Sequence, residues 1–187
     1  MPFNFKNPSK LFAWFYSLFC PIYGRKFYKE LLSALNLNGG ESVLDFGSGT
    51  GILAKKIVKE LSNGGTLTCL DLSEAFLNKA RKKLRNNTNV NYILGDIREI
   101  NVPPNIFDKI VITWVIHHIA EEARPSLLQS IANTLKQDGK IFVLEFLTPP
   151  HGIPEMSLTE LFNEIGLSGR VEYRKKNTAI FEFKRLL

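Results

Sequence analysis

Apolar runs alternate with amphipathic stretches along most of this chain. The runs SVLDF and GTLTCLDL have the length of buried strands, and each carries an aspartate near its end. The stretches TGILAKKIVKEL and SEAFLNKARKKLR follow them, and both have the apolar spacing of a helix. Further strands are expected at VNYILG and FDKIVITW. Strands that alternate with helices predict a parallel sheet covered by helices.

Turn and cap residues set the expected ends of these elements. Ser73 is expected to cap the helix after the second strand, and Ser157 is expected to cap the helix SLTELFNEIG. The helix EEARPSLLQSIANTLKQ is expected to run to Gln137. The strand KIFVLEFL is expected to follow the turn at Asp138-Gly139.

Two further runs of strand-forming residues, GRVEYRKKN and TAIFEFKRL, follow at the end of the sequence. Only the turn at Lys176-Asn177 joins them, and it is too short for a crossover helix. The two strands must therefore pair antiparallel. The sequence predicts an α/β fold, with a doubly wound, mostly parallel sheet that ends in an antiparallel hairpin.

Residues 1–38 are predicted to form an N-terminal helical cap. Asn7-Pro8 is typical of a helix start, Pro21 ends this helix, and a second helix is expected from about Tyr23 to Leu35. The first helix is aromatic and apolar nearly all round, so it is buried or meets something apolar. A lid over the site is preferred, followed by core packing and then by peripheral contact with an anionic membrane surface.

Length and composition favour a single domain over residues 1–187. The chain has 187 residues, of which 44% are apolar. Its net charge of +6 permits anionic partners without requiring them, and the cluster KARKKLR is interpreted as a solvated helix face in preference to a binding patch. The two cysteines have no metal-ligand spacing, so no metal site is predicted, and they fit a reduced, cytoplasmic compartment.

The loop DFGSGTG follows the first predicted strand, at the sheet edge where doubly wound folds bind ligands. Gly47, Gly49 and Gly51 can adopt backbone angles closed to other residues and leave no side chain between main chain and ligand. Asp45 adds a negative charge, and Ile52 stands where a dinucleotide-binding loop would have its last glycine. The loop therefore favours a cationic or amine-bearing ligand over a pyrophosphate.

Two more acids end the next two strands. Asp71, in CLDLS, stands 20 residues after Gly51, at the position where such folds bind the two hydroxyls of a ribose. Asp96, in GDIREI, ends the third strand, where a carboxylate can accept a hydrogen bond from an adenine amino group. An ordinary turn aspartate is the alternative interpretation of Asp96.

From about Glu41 to its last residue, the chain resembles the class I S-adenosylmethionine-dependent methyltransferases. The motifs that carry this resemblance are, in order, VLDFGSGTG, CLDLS, GDIREI, FDKIVITWVIHHI and LKQDGKIFVLEF. The segments WVIHHIA and PIYG are similar to the subgroup that includes the ubiquinone and menaquinone biosynthesis methyltransferases. The resemblance implies a Rossmann-like sheet of seven strands in the order 3-2-1-4-5-7-6, with strand 7 antiparallel.

The resemblance also implies that S-adenosyl-L-methionine is the cofactor and that residues 41–187 form the cofactor-binding core. The three loop glycines would pack against its methionine part with Asp45 nearby, Asp71 would bind the ribose hydroxyls, and Asp96 would meet the adenine amino group. The remaining contacts that it implies are Leu72 against an adenine face, the Ile97 backbone against the ring edge, and the main chain of Thr113 opposite the methionine amine.

Five residues are candidates for handling the methyl acceptor. His117 and His118 follow the fourth strand, and an imidazole can remove a phenol or amine proton near neutral pH. A histidine that bonds backbone at a helix entry is the alternative for each. Tyr16, Trp114 and Glu145 are candidates for lining the acceptor pocket, although Trp114 and Glu145 are equally consistent with packing or hydrogen bonding.

The predicted function is methyl transfer from S-adenosyl-L-methionine to a small, hydrophobic or lipid-like acceptor. The alternatives are an RNA or protein methyltransferase and a module that binds the cofactor without catalysis. Nucleic acid is disfavoured as a partner because no N-P-P-Y-type tetrapeptide follows the fourth strand. The glycine spacing and Asp45 disfavour a nicotinamide oxidoreductase.

Overall fold

The structure is a computed structural model that describes residues 24–186. The chain divides into two compact units, of which the first ends at Asp96 and the second begins at Ile97. The predicted aromatic helix lies outside the described residues, together with Tyr16 and Cys20. The single-domain organisation over residues 1–187 stays a prediction.

Within its described residues, the first unit alternates helices with parallel strands. β2 lies between β1 and β3 and pairs in parallel with both of them. The elements in chain order are α1 (residues 24–35), β1 (Ser42–Phe46), α2 (Ala54–Glu60), β2 (Thr66–Asp71), α3 (Glu74–Lys83) and β3 (Val90–Leu94).

The helix α3 begins where the sequence predicts. The Oγ of Ser73 accepts a hydrogen bond from the main-chain nitrogen of Phe76 at 3.4 Å, as an N-cap does. The helix buries Phe76, Leu77 and Ala80, while its last turn carries three basic residues that complement the helix dipole. The predicted cap is confirmed, and it places Asp71 just before a helix start.

The second unit contains the remaining strands of the sheet. β5 pairs in parallel with β4 and antiparallel with β7, which also pairs antiparallel with β6. The elements in chain order are β4 (Phe107–Thr113), two 3-10 turns (Ile116–His118 and Glu121–Ala123), α4 (Arg124–Thr134), β5 (Leu135–Phe146), α5 (Glu155–Glu164), β6 (Leu167–Lys175) and β7 (Thr178–Arg185).

The complete sheet has seven strands in the order β3-β2-β1-β4-β5-β7-β6. This order confirms the predicted fold class, including the antiparallel last strand. The predicted hairpin is also confirmed, because Lys175 pairs with Thr178 and leaves Lys176-Asn177 as the turn.

The expected end of α4 at Gln137 is wrong. The helix ends at Thr134, and Leu135 already pairs with Phe107 in the sheet. The guanidinium of Arg185 donates hydrogen bonds to the carbonyl oxygens of Ala132 and Leu135 at 2.9 and 3.1 Å. Carbonyl groups at a helix end need such partners, so β7 supplies a stop signal that the local sequence lacks.

The expected cap of α5 at Ser157 is also wrong. The helix begins at Glu155, directly after Pro154, and Ser157 is exposed within its first turns. The carbonyl of Pro154 accepts a hydrogen bond from the main-chain nitrogen of Leu158 at 2.9 Å, which closes the first turn. Glu155 in that turn interacts favourably with the helix dipole, so a serine cap is not required.

Within residues 24–186, no helix combines the length and the apolar character needed to cross a membrane.

Candidate functional site

The loop after β1 has the backbone conformation that its glycines predict. The φ angles of Gly47, Gly49 and Gly51 are 70°, 53° and 71°, all in the left-handed region. A residue with a Cβ atom adopts this region at a cost of about 1–2 kcal/mol. Three such positions in five residues fold the chain tightly back before α2.

The same loop is tied to the end of β2 by hydrogen bonds. The main-chain nitrogens of Gly47 and Ser48 both donate to the carbonyl of Leu70, at 2.8 and 3.1 Å. The main-chain nitrogen of Gly49 donates to Oδ2 of Asp71 at 2.8 Å. Asp71 is therefore a structural partner of the glycine loop as well as a candidate ligand for a ribose.

Gly51 has a packing reason of its own. A Cβ atom at this position would lie 2.9 Å from the Cβ of Ala80 and 3.1 Å from its Cα. The absence of a side chain thus lets the loop approach α3 closely. The third glycine serves helix packing, whatever it contributes to a ligand.

Asp45 is buried at the end of β1, with an exposed fraction of only 1%. Neither of its carboxylate oxygens has a hydrogen-bond partner among the described residues. Burial, followed by the charge of Asp71, raises the pKa of Asp45 from 3.8 to about 7. A buried carboxylate without a partner is costly, so this position favours a ligand that donates hydrogen bonds or carries positive charge.

Both carboxylate oxygens of Asp71 accept hydrogen bonds from the backbone. Oδ1 accepts a hydrogen bond from the main-chain nitrogen of Ser73 at 2.8 Å, and Oδ2 accepts the bond from Gly49. Burial raises the pKa of Asp71, although the backbone amides of Ser73, Gly49 and Leu72 counteract it. An ionised carboxylate has about four lone-pair sites, so lone-pair capacity remains for donors such as ribose hydroxyls.

The third predicted acid is linked to the same strand ends. Gly95, which follows β3, has a φ of 144°, and its main-chain nitrogen donates to the carbonyl of Asp71 at 3.2 Å. Asp96 comes next and is half-buried, as is Leu72 after β2. The first unit therefore brings Asp45, Asp71 and the glycine loop together at the carboxyl ends of its strands.

Lys83 contacts the glycine loop after β1, which the sequence did not indicate. Its Nζ donates to the carbonyl oxygen of Thr50 at 2.7 Å and lies 3.5 Å from the Thr50 hydroxyl. The residue belongs to the cluster interpreted as a solvated face, and its neighbours Arg81 and Lys82 are indeed exposed. A contact across 33 residues has no local sequence signature.

In the second unit, the chain turns sharply after β4. Trp114 has a φ of 54°, and its main-chain nitrogen donates to the carbonyl of Leu144 at 2.8 Å. A bulky residue in this region is a true conformational outlier. Thr113 and Trp114 are both buried, and the 3-10 turn that carries the two histidines follows.

His117 and Glu145 form a close pair in the second unit. The His117 Nδ1 lies 2.6 Å from Oε1 of Glu145, whose side chain is fully buried. The main-chain nitrogen of Phe146 donates to Oε1 at 2.9 Å, and that of His117 donates to Oε2 at 3.3 Å. This burial favours hydrogen bonding, the alternative interpretation of Glu145, over pocket lining.

Aromatic rings surround this pair. The ring centroids of His117 and His118 are 3.8 Å apart. The His117 ring also makes an edge contact with the Phe146 ring, with 5.6 Å between the centroids. Trp114 stacks on Phe146, again with 5.6 Å between the centroids. Phe146 was not among the sequence candidates, although it directly follows Glu145 at the strand end. The arrangement is an apolar cluster that contains one buried carboxylate and two imidazoles.

His118 differs from His117 in its surroundings. The residue as a whole is exposed, but its ring is partly removed from water. This desolvation, followed by the neighbouring His117 and His151, lowers the pKa of His118 to about 4. His118 is therefore neutral at pH 7 and a weak base.

In the first unit, Cys69 is buried in β2, where it pairs in register with Asp45 of β1. Burial, followed by the charge of Asp45, raises the pKa of its thiol, so it is a structural residue and not a reactive one. Among residues 24–186, no group of three or more histidine, cysteine or acidic side chains is arranged to hold a metal ion.

Solved structures share this fold. A TehB-like SAM-dependent methyltransferase from Corynebacterium glutamicum matches 95% of this chain and 100% of its own, with a TM-score of 0.76 and 17% identity. A complex of DhpI with SAH matches 92% and 90%, also with a TM-score of 0.76 and 17% identity. The fold is that of the class I S-adenosylmethionine-dependent methyltransferases, whose methyl donor is S-adenosyl-L-methionine.

The family is shown by the sequence itself. The methyltransferase domain family matches residues 43–139, which is just over half of the chain and includes the glycine loop, the three acids and both histidines. This chain belongs to that family.

Curated relatives lie in one subgroup. The chain is 32% identical over 128 residues to the ubiquinone/menaquinone biosynthesis C-methyltransferase UbiE of Wigglesworthia glossinidia brevipalpis, across 66% of this chain and 50% of that protein. It is 34% identical over 113 residues to UbiE of Vibrio campbellii, across 59% and 43%. The chain spans about half the length of the curated relatives it matches.

Proposed function

We propose that this chain transfers the methyl group of S-adenosyl-L-methionine to a small, apolar ring compound that resembles a quinone precursor. The observation that carries the proposal is the buried Asp45 carboxylate, which has no hydrogen-bond partner among the described residues and comes just before a glycine loop that is tied to Asp71. The family match supports the donor, and the names of the curated relatives support the kind of acceptor.

The residues of the first unit suit the groups of this donor. Asp45 would balance the charge of the amino group, directly or through water, and the free lone pairs of Asp71 would accept hydrogen bonds from the ribose hydroxyls. Asp96 would accept a hydrogen bond from the adenine amino group. When bound, S-adenosyl-L-methionine supplies a methyl group on a positively charged sulfur.

Four further contacts follow from family membership. The backbone of the glycine loop would lie along the methionine part of the donor, with Leu72 against an adenine face. The proposal extends to the backbone of Ile97 at the adenine edge and to the main chain of Thr113 opposite the methionine amine.

The second unit would hold the acceptor. Trp114 and Phe146 present stacked aromatic rings next to His117, and such a cluster suits a flat, apolar ring. An imidazole within the cluster provides a site for a proton that the acceptor gives up. The names of the relatives place them in ubiquinone and menaquinone biosynthesis, which supports a quinone-like ring as the acceptor.

Binding is tested first, by calorimetric titration of S-adenosylhomocysteine into wild-type protein and into the Asp45→Asn and Asp71→Asn variants. Exposed Glu74 provides the matched control, as Glu74→Gln removes a carboxylate close to Asp71 in sequence. We expect tight binding to wild type and Glu74→Gln, and weakened binding to the other two.

Transfer is tested next, with radiolabelled S-adenosyl-L-methionine and a panel of quinols, phenols, amines, phospholipids and RNA. We expect label in the quinols or phenols. Label in RNA or in protein would contradict the proposed acceptor, and tight binding without transfer to any compound would favour a module that holds the cofactor without catalysis.

A further inference from the structure

The hydrogen bonds of the buried Glu145 carboxylate indicate which ring nitrogen of His117 carries a hydrogen. Oε1 accepts from the main-chain nitrogen of Phe146, and Oε2 accepts from that of His117, so each oxygen already serves as an acceptor. An ionised carboxylate is an acceptor only. The hydrogen in the 2.6 Å contact between Oε1 and His117 therefore belongs to Nδ1 of the ring.

A neutral imidazole with its hydrogen on Nδ1 has a lone pair on Nε2. A neighbouring carboxylate also stabilises the imidazolium that forms when Nε2 takes up a proton. The side chain of His117 is 9% exposed and lies among the rings of His118 and Phe146, so its orientation is restricted. Among the described residues, Glu145 and His118 are titratable groups in contact with His117, and the charge of His151 acts on His118.

We propose that Glu145 is a positioning residue that holds His117 with its hydrogen on Nδ1, so that Nε2 of His117, and not His118, receives the proton that the methyl acceptor gives up. This inference rests on the proposed function and narrows its substrate class. The acceptor is a compound with an acidic O–H or N–H bond at the methylated atom, or with an O–H group conjugated to the methylated ring carbon.

The proposed step balances in atoms and charge. The O–H or N–H bond of the acceptor breaks, and the electron pair that it leaves forms the new bond to the methyl carbon, either directly from O or N or, through the conjugated ring, from a ring carbon. In the ring-carbon case, the hydrogen on that carbon afterwards moves through solvent to the oxygen and restores the aromatic ring. The proton moves to Nε2 of His117, and the electron pair of the former carbon–sulfur bond stays on sulfur. The positive charge lost at sulfur reappears on the imidazolium next to the Glu145 carboxylate, and solvent later removes the proton.

The lowered pKa of His118 agrees with this division of roles. A base with a pKa of about 4 has little driving force to take a proton at pH 7.

The first test reads the tautomer without any catalysis. Nitrogen-15 NMR of the cofactor-free protein at pH 8 reports which ring nitrogen of His117 carries the hydrogen. We expect the hydrogen on Nδ1 in wild type and in Glu145→Asp, and a mixture of tautomers in Glu145→Gln. A His117 ring with its hydrogen on Nε2 in wild type would overturn the inference even if methyl transfer is confirmed.

The second test separates the two histidines and the carboxylate by kinetics. For His117→Gln we expect a kcat that is 100- to 10,000-fold lower. For Glu145→Gln we expect a loss of about 10- to 100-fold with the acid limb of the pH profile displaced to lower pH, and partial rescue in Glu145→Asp. For His118→Gln we expect a smaller loss and an undisplaced acid limb. The matched control is Glu122→Gln at an exposed position, which should keep the kcat and the pH profile of wild type.

These outcomes distinguish the inference from the proposed function. Binding of S-adenosylhomocysteine should stay within threefold of wild type in all four variants, since none of these residues is proposed to hold the cofactor. A larger kcat loss in His118→Gln than in His117→Gln, or an undisplaced acid limb in Glu145→Gln, overturns the inference. If wild type binds the cofactor but methylates nothing, the proposed function fails, and the NMR result still decides whether Glu145 sets the tautomer.

Discussion

The main-chain nitrogen of Gly49 donates a hydrogen bond to Oδ2 of Asp71 across 2.8 Å. This bond joins the loop after β1 to the end of β2, 22 residues further along the chain. The opposite oxygen of the same carboxylate accepts from Ser73 at the start of α3. One aspartate thus fixes the glycine loop and the helix start while keeping lone pairs for a ligand.

Replacement of Asp71 by Asn should weaken cofactor binding about 10- to 100-fold. The amide keeps one acceptor oxygen but presents N–H groups where the second oxygen accepts a bond, and hydrogen bonds to a charged group contribute about 1.5–3 kcal/mol. Calorimetric titration of S-adenosylhomocysteine measures the change, with Glu74→Gln as control. An Asp71→Asn protein that is folded and binds like wild type would show that this carboxylate is purely structural.

The raised pKa of Asp45 predicts that binding of the cofactor depends on pH. Between pH 5.5 and 7.5, the ligand-free protein changes from mostly protonated to mostly ionised Asp45, because its pKa is about 7. The range lies below the ordinary α-amino pKa of about 7.7–8.0, so the amino group of the ligand stays mostly cationic throughout. Because a cationic amino group binds the ionised form of Asp45, the affinity for S-adenosylhomocysteine should rise about tenfold or more over this range. The Asp45→Asn variant should bind more weakly and show little dependence on pH.

The Asp45 carboxyl affects the stability of the ligand-free protein in the opposite direction, because this stability should fall as pH rises. Its folded pKa lies above the unfolded value of 3.8, so its contribution is fully present below about pH 3.8 and is lost as pH rises through about 7. Urea unfolding of the ligand-free protein at pH 5 and pH 8 should therefore show a larger decrease in unfolding free energy for wild type than for Asp45→Asn. An equal decrease in the two proteins would contradict the burial argument.

Alanine at Gly51 should destabilise the protein more than alanine at Gly64. Both glycines have left-handed φ angles, 71° and 81°, so both substitutions impose a backbone cost of about 1–2 kcal/mol. Only at Gly51 does the new Cβ meet another residue, Ala80, whereas nothing lies within 4 Å at Gly64. Overpacking adds about 1–3 kcal/mol at Gly51, measurable by urea unfolding. Equal losses would mean that the loop moves away from α3 at no cost.

Replacement of Phe162 in α5 by alanine should lower the free energy of unfolding by about 3–5 kcal/mol. This ring is fully buried and stacks on Phe183 of β7 at 3.8 Å, so removing it leaves a cavity between helix and sheet. Met156 on the same helix is 75% exposed, and Met156→Ala should change stability by less than about 0.5 kcal/mol. Similar unfolding free energies for Phe162→Ala and Met156→Ala would contradict the described packing of α5.

The alternation of strands and helices, the Ser73 cap and the terminal hairpin were predictable because each depends on residues close together in sequence. Spacing of apolar residues reports the faces of an element, and loop length limits how two strands pair. The left-handed glycine loop was predictable for the same reason. The full strand order came from the family resemblance and not from periodicity.

Other features depend on contacts between distant parts of the chain. The end of α4 is set by Arg185, about 50 residues away, and the segment after Thr134 contains no breaker before Asp138-Gly139. The contact of Lys83 with Thr50 and the pairing of Glu145 with His117 span 33 and 28 residues. Such partners become visible only when the fold brings them together.

Several sequence interpretations remain predictions. The reduced compartment that the cysteines favour is one of them, and the role of the N-terminal aromatic helix with Tyr16 is another. The place of Glu145 in the acceptor pocket is a third, and its three hydrogen bonds favour a role as a partner of His117.

The most direct test of the account is a titration of S-adenosylhomocysteine into the purified wild-type protein at pH 7.5, with NADH titrated in parallel. We predict saturable one-to-one binding of S-adenosylhomocysteine that is reduced at least tenfold in Asp71→Asn, and no binding of NADH. Absence of heat with S-adenosylhomocysteine at millimolar concentration, or binding of NADH in its place, would contradict the claim that Asp45, Asp71 and the glycine loop hold an S-adenosyl cofactor.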